Sequence, residues 1–432
     1  MSLDRFARIA HTLPTLIDEL ADARTPDYLE AAIEQASSRT QRPAWTFPER
    51  WLPVELVTSR VPTTRMPWRQ VVVLALIALV IAAALAVYIG SQQRKLPPPF
   101  GQAGNGSVAF EQRGDIYVAD PRTGTSRAVV AGPEQDSGPI YSLDGTHLLF
   151  ARNLGGDQTK VALFMSRDDG SGLVQVTEPL PYASGWSFAP DGRSIASFAT
   201  MPDQGKVIVI APTDGSRAAK IFPVFATNDD GPPQYRPDGS ELLFIGSKSQ
   251  SYRAVYALST IDGAIRTVVP PFPNLDIHGA SWSPDGKHIA YGAYEPAAPM
   301  TTARTHVVDV DGTGDITVDI DPRSAADAGI AWSNDSTRLI IGRFYADPSE
   351  PARSVVVPID RSSTGVEIAC RPEAPVDDCG ADWNWSPDDS TLVASVPTSA
   401  GDIHILADAR TGAIRTAPWS GSGLASWQRE AR

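Results

Sequence analysis

The sequence predicts an all-β chain, a seven-bladed β-propeller that follows a short α-helical N-terminal region and one transmembrane helix. Three observations carry this. An aromatic residue precedes an acidic turn residue by three positions at Tyr141–Asp144, Phe188–Asp191, Tyr235–Asp238, Trp282–Asp285, Trp332–Asp335 and Trp385–Asp388, and these aspartates lie 47, 47, 47, 50 and 53 residues apart. A second turn, Asp or Thr before Gly, recurs at Gly124, Gly170, Gly215, Gly263, Gly312, Gly365 and Gly412. A period of about 40–50 residues with a strand-turn-strand cassette in each unit marks propeller blades. The third observation is the uncharged, proline-free run Val71–Gly90.

Residues 1–70 read as a cytoplasmic helical and juxtamembrane region. Leu13, Leu16, Ile17 and Leu20 form one apolar helical stripe, and Thr25 with Pro26 starts a second helix through Tyr28, Leu29, Ala32 and Ile33. Pro43, Pro48 and Pro53 then break the pattern around Trp45, Phe47 and Trp51. These aromatics suit the membrane surface, a docked partner or packing on the two helices. Helices this short bury too little area for a core of their own.

Residues 71–90 are expected to span a membrane, because twenty helical residues reach about 30 Å, the thickness of a hydrocarbon core. Trp68 and Tyr88 stand at its edges, where amphipathic rings favour headgroups. Seventy residues precede the run, so it reads as an uncleaved single-pass anchor rather than a signal peptide. Arg60, Arg65 and Arg69 on one side against Arg94 and Lys95 on the other give a slight bias for a cytoplasmic N-terminus and an extracytoplasmic propeller in the cell membrane. Residues 91–104 form a linker whose Pro97–Pro99 run is stiff.

Residues 105–432 are expected to form the propeller. In the cassette Ala280–Ser283 is a strand, Pro284-Asp285-Gly286 a tight turn and Lys287–Tyr291 the returning strand. Proline presets the first central turn residue, aspartate caps the turn and glycine supplies positive φ. The first blade lacks an aromatic strand before Val108, and Leu424–Trp427 is one left over at the C-terminus. Pairing the two closes the ring and removes an exposed sheet edge. The seven aromatics then pack between blades.

Trp282-Ser283-Pro284-Asp285-Gly286 resembles the W-S-P-D-G consensus of the TolB-like, WD40-like propeller repeats, and Phe188–Gly192 and Tyr235–Gly239 are similar to it. Tyr141–Gly145 lacks the proline, while Trp332–Ser336 and Trp385–Asp389 lack the glycine, which predicts strain or another turn type there. The resemblance implies protein binding outside the membrane.

Chemistry is sparse. No G-x-S-x-G, H-E-x-x-H or Walker A motif occurs, and no cofactor or metal is expected. The turn aspartates Asp144, Asp191, Asp238, Asp285, Asp335 and Asp388 are explained by turn capping rather than calcium. Only His278 and His288 lie close together among six histidines. Cys370 and Cys379 are the two cysteines and form a disulfide candidate, suited to an oxidising compartment. The propeller holds 26 Lys and Arg against 41 Asp and Glu, an acidity that disfavours nucleic acid.

The sequence therefore predicts no enzyme but a protein-binding propeller, with an N-terminal tail that contacts a cytoplasmic regulator in the layout of anti-sigma factors. An envelope scaffold without signalling and a metal-assisted hydrolase in the channel are the alternatives.

Overall fold

Short strands rich in β-branched and aromatic residues, separated by Pro-Asp-Gly and Asp-Gly turns, fold into seven antiparallel sheets, six of four strands and one of five, in a computed structural model. The structure describes residues 68–91, 99–154, 160–225, 231–248, 252–347, 349–368, 383–396 and 402–431. The predicted N-terminal helices and the pair Cys370 and Cys379 lie outside these residues. The chain divides into two compact units, Met1–Gln93 and Arg94–Arg432.

In the first unit, helix α1 spans Trp68–Ser91. Its described side chains, Trp68 and residues 71–82, are all exposed. Among the described residues no helix is long and apolar enough to cross a membrane.

The second unit is the propeller. Blade one joins the closing strand Ser422–Glu430 to Gly104–Gln112, Asp115–Ala119 and Ser126–Val130. Val108 pairs with Trp427 and Ala109 with Ser426, so the predicted closure is formed by the first and last strands of the propeller. Blades two to seven begin with the inner strands Gln135–Tyr141, Ser184–Phe188, Gln234–Tyr235, Asp276–Trp282, Ser324–Trp332 and Asn384–Trp385. Blade two carries an extra strand, Leu180–Pro181, beside Lys160–Arg167.

The second strand of each blade is covered on both faces by neighbouring blades. It therefore reads as a continuous apolar run rather than an alternation. Leu148 to Ala151 and Leu242 to Gly246 are buried without interruption. The aromatic column Tyr141, Phe188, Tyr235, Trp282, Trp332, Trp385 and Trp427 is buried throughout. Each such ring contributes about 1.5–3 kcal/mol by area. Arg236 stacks over the Trp282 ring of the next blade, and Arg338 over that of Trp385.

Side-chain hydrogen bonds link every neighbouring pair of inner strands. In ring order, the Tyr141 N–H donates to Ser426 Oγ, Trp186 Nε1 to the Gly138 carbonyl, and Ser187 Oγ to the Pro233 carbonyl. The Trp282 N–H then donates to Gln234 Oε1, Trp332 Nε1 to the Ser281 carbonyl and Trp385 Nε1 to the Ala331 carbonyl. Asn384 Nδ2 closes the circle on the Ala425 carbonyl. The aromatic column thus supplies part of the polar stitching as well as apolar area.

Candidate binding site in the central channel

The inner strands do not run straight into the channel. A glycine with positive φ recurs three or four residues before the column aromatic, at Gly138, Gly185, Gly231, Gly279, Gly329 and Gly423. Register shifts mark bulges around Gly138, Gly279 and Gly329. A Cβ at Gly138 would meet the Trp186 ring, and one at Gly185 would meet Pro232, each on the next blade. These glycines let neighbouring strands approach at the channel wall. Sequence reading missed them, although their spacing to the aromatics was a visible signal.

One side of the channel opens into a cavity of about 480 Å³. Pro232 of the approach to blade four, Ile330 of blade six, Trp383 and Asn384 of blade seven and Leu424 of the closing strand line it. Leu424 is 53 % exposed, an unusual state for a leucine on an inner strand. Trp383 is buried and donates from Nε1 to Ser354 Oγ at 2.8 Å. Asn384 spends its amide N–H on the Ala425 carbonyl at 3.2 Å, which leaves its carbonyl oxygen to accept. Apolar walls with a few placed polar groups suit an inserted side chain or short segment of a partner.

The repeat aspartates lie elsewhere, in the turns. Oδ1 of Asp144, Asp191, Asp238, Asp285, Asp335 and Asp388 accepts the backbone N–H two residues on, at 2.9–3.1 Å. Hydrogen bonds with the neighbouring Ser or Thr residues hold the carboxyls of Asp144, Asp238, Asp285, Asp335 and Asp388 below the usual range against the opposing effect of burial. The turns lacking glycine keep the same shape, since Ser336 and Asp389 both adopt a φ of 62°.

The histidines do not converge. His278 packs against the Tyr294 ring, and His288 pairs through Nδ1 with Asp309 at 3.0 Å. A grouping hidden from the sequence is His306 on Asp315 at 3.0 Å, with the Tyr291 hydroxyl on the same carboxylate. Among the described residues, no group of three or more His, Cys, Asp or Glu could hold a metal ion.

No protein-family model matches the chain. A curated relative, the uncharacterized peptidase YuxL of Bacillus subtilis, is 24 % identical over 159 residues, 36 % of this chain and 23 % of the relative. Among solved structures, puromycin hydrolase is 15 % identical with a TM-score of 0.52, the match covering 75 % of this chain and 54 % of that one. A prolyl endopeptidase is 13 % identical at a TM-score of 0.52, over 85 % of this chain and 56 % of the other. TolB from Acinetobacter baumannii is 12 % identical at a TM-score of 0.47, over 74 % and 82 %. The chain thus spans about a quarter of the curated relative's length and about half that of the two hydrolase structures.

These comparisons correct the expectation that the chain is no enzyme. Its propeller has the fold found in hydrolases, and its curated relative carries a peptidase's name. The absence of a catalytic motif within these residues does not remove the propeller from such company. The cassettes and the seven sheets, closed into a ring by the pairing of Val108 with Trp427, together establish a seven-bladed β-propeller.

Proposed function

We propose that this is a membrane-tethered propeller that binds a protein partner outside the membrane through its central channel. The observation that carries the reading is the channel cavity, with Leu424 exposed on an inner strand and Ile330, Pro232 and Trp383 around it. Leu424→Glu would place charge on the apolar wall at an exposed side chain, and Ile330→Glu would do so at a half-buried one that packs against the core cluster of Trp332. Binding of the partner recovered by the full chain from its native envelope should fall at least tenfold. Unchanged capture by both variants sinks the channel reading.

The tether is the second part of the proposal. Its support lies in the sequence run Val71–Gly90, twenty residues without a charge or a proline, the number that a helix needs to cross a hydrocarbon core. The slight arginine bias favours residues 1–70 in the cytoplasm, where they would engage a regulator as an anti-sigma-like tail. Deleting residues 1–65 should then change transcription in the host. If transcription stays the same, the propeller is an envelope scaffold and the tail only an anchor.

A second reading follows from the hydrolase comparisons. The propeller would filter or present peptides for a peptidase domain that works beside it. Native complexes purified on the propeller should in that case release nitroaniline from peptide nitroanilides. A complex without that activity removes this reading and leaves the first.

A further inference from the structure

The repeat departs from its own rule at two turns, and one departure ties four parts of the chain together. Asp389 occupies the left-handed position that glycine holds in the full cassette, with φ of 62°. A non-glycine residue persists there when its surroundings over-determine it. Here they do, because the buried Asp389 carboxylate is ringed by donors. Oδ1 accepts the Asn334 N–H at 2.7 Å and Asn334 Nδ2 at 2.9 Å, while Oδ2 accepts the Asp335 N–H at 2.9 Å and Gln102 Nε2 at 3.1 Å. Arg429 of the closing strand donates to Asn334 Oδ1 and to the Gly101 carbonyl.

The chain entering the propeller therefore lies against this turn. Ala103 is 1 % exposed and donates its N–H to the Pro387 carbonyl at 2.8 Å. Asn105 Oδ1 accepts the Asp388 N–H at 3.0 Å. Blade six, blade seven, the closing strand and the incoming chain meet at one carboxylate. The other glycine-less turn shows the simpler form, in which Ser336 Oγ only accepts the Asp285 N–H of the previous blade.

We propose that Gly101–Ala103 is a releasable clamp that fastens the incoming chain to the seam between blades seven and one, with Asp389 as its catch. The inference rests on the reading that the propeller is tethered and that its tail reports occupancy. Movement of the blade-six turn relative to blade seven withdraws Asn334 and Asp335 from Asp389 and loosens the hold on Gln102. Release frees about three residues, roughly 10 Å of extended chain, ahead of the first strand of the ring. A clamp of this kind converts a small shift at the seam into a change of tether length.

The test is amide hydrogen exchange on the full chain in detergent, comparing wild type with Asp389→Gly, which restores the glycine of the repeat. Exchange at Ala103 and Asp388 should rise at least tenfold, while the second strands of blades six and seven, residues 338–345 and 391–396, stay protected. Should Asp389→Gly open those strands too, the double variant Gln102→Ala, Asn105→Ala decides, since both substitutions lie outside blades six and seven. Protection at Ala103 that survives in the deciding variant overturns the clamp. A released clamp with unaltered binding of the regulator to residues 1–70 leaves the clamp standing and removes the signalling reading instead.

Discussion

Blades two and six place the same two residues in the same register and use them differently. Asp136 stands opposite Arg152 in blade two, and Asp327 stands opposite Arg343 in blade six. In blade two the pair closes on itself, with Arg152 Nε on Asp136 Oδ1 at 2.7 Å and Nη2 on Oδ2 at 2.8 Å. In blade six Arg343 turns away to Asp319 Oδ1 at 2.7 Å, to Asp321 Oδ2 at 3.0 Å and to the Thr364 carbonyl. Asp327 keeps the Thr305 N–H at 2.6 Å, while its Oδ2 is buried without a hydrogen-bond partner. Burial pushes this carboxyl up to about 6. A repeat can therefore fix where a charge pair stands without fixing whom each member holds.

The largest expected effects come from removing the arginines. Arg343→Ala strands the almost wholly buried Asp319 and takes from Asp321 one of its two arginines, Arg323 remaining, so it should cost roughly 3–5 kcal/mol. Arg152→Ala strands only Asp136 and should cost less, about 3 kcal/mol. Urea midpoints of the two variants measure the difference. Equal losses would mean that the diverted arginine holds no more than the closed pair.

Asp327 sharpens the same contrast through pH. Its folded pKa of about 6 exceeds the ordinary value of 3.8, so the fold holds this proton more tightly than the unfolded chain does. Its contribution is most favourable below the ordinary value and falls as pH rises through about 6. The loss above that point is about 2–3 kcal/mol. Asp327→Asn should therefore stabilise the protein at pH 7.5 and do little at pH 4.5. Asp136→Asn breaks a paired charge, so at pH 7.5 it should destabilise. Variants that move in the same direction at pH 7.5 would dissolve the distinction between the blades.

The repeat and its closure were legible because turn chemistry is local. Proline, aspartate and glycine announce each turn, and the unmatched strand at each end announces the seal between Val108 and Trp427. The shape of the glycine-less turns was not legible. Ser336 and Asp389 adopt the left-handed conformation because side-chain bonds to the preceding blade hold them there, and such bonds join residues more than fifty positions apart. The diversion of Arg343 was hidden for the same reason. It depends on Asp319 and Asp321 in the connection leaving blade five, and no period places those residues. The channel cavity required the bulge glycines and Leu424 to be seen on one surface.

His404 extends the comparison to the seam, with the opposite sign. Its Nδ1 accepts from Trp419 Nε1 at 3.0 Å, so its Nε2 donates to the Gly423 carbonyl at 3.0 Å and the ring is neutral. Burial holds its pKa below the usual histidine value, although Asp402 pulls the other way. Its contribution is present above the ordinary pKa and is lost as pH falls through the lowered one. Acid should thus weaken the seam while relieving Asp327. His404→Gln should remove this acid sensitivity, read by Trp419 fluorescence against pH.

The smallest effect is expected at Ser336. Changing it to glycine relieves a left-handed non-glycine residue and deletes the Oγ bond to the Asp285 N–H at 3.0 Å. That N–H lies in a half-buried turn and can turn to water, so the lost bond costs about 0.5–1 kcal/mol and the relieved strain returns a similar amount. The net change in the urea midpoint should stay within about 0.5 kcal/mol. Blade six would then tolerate the consensus glycine at its turn although it departs from blade two at its charge pair. A loss above about 2 kcal/mol would show that the bridge from Ser336 to blade five, rather than the turn's own geometry, sets the alignment of the two blades.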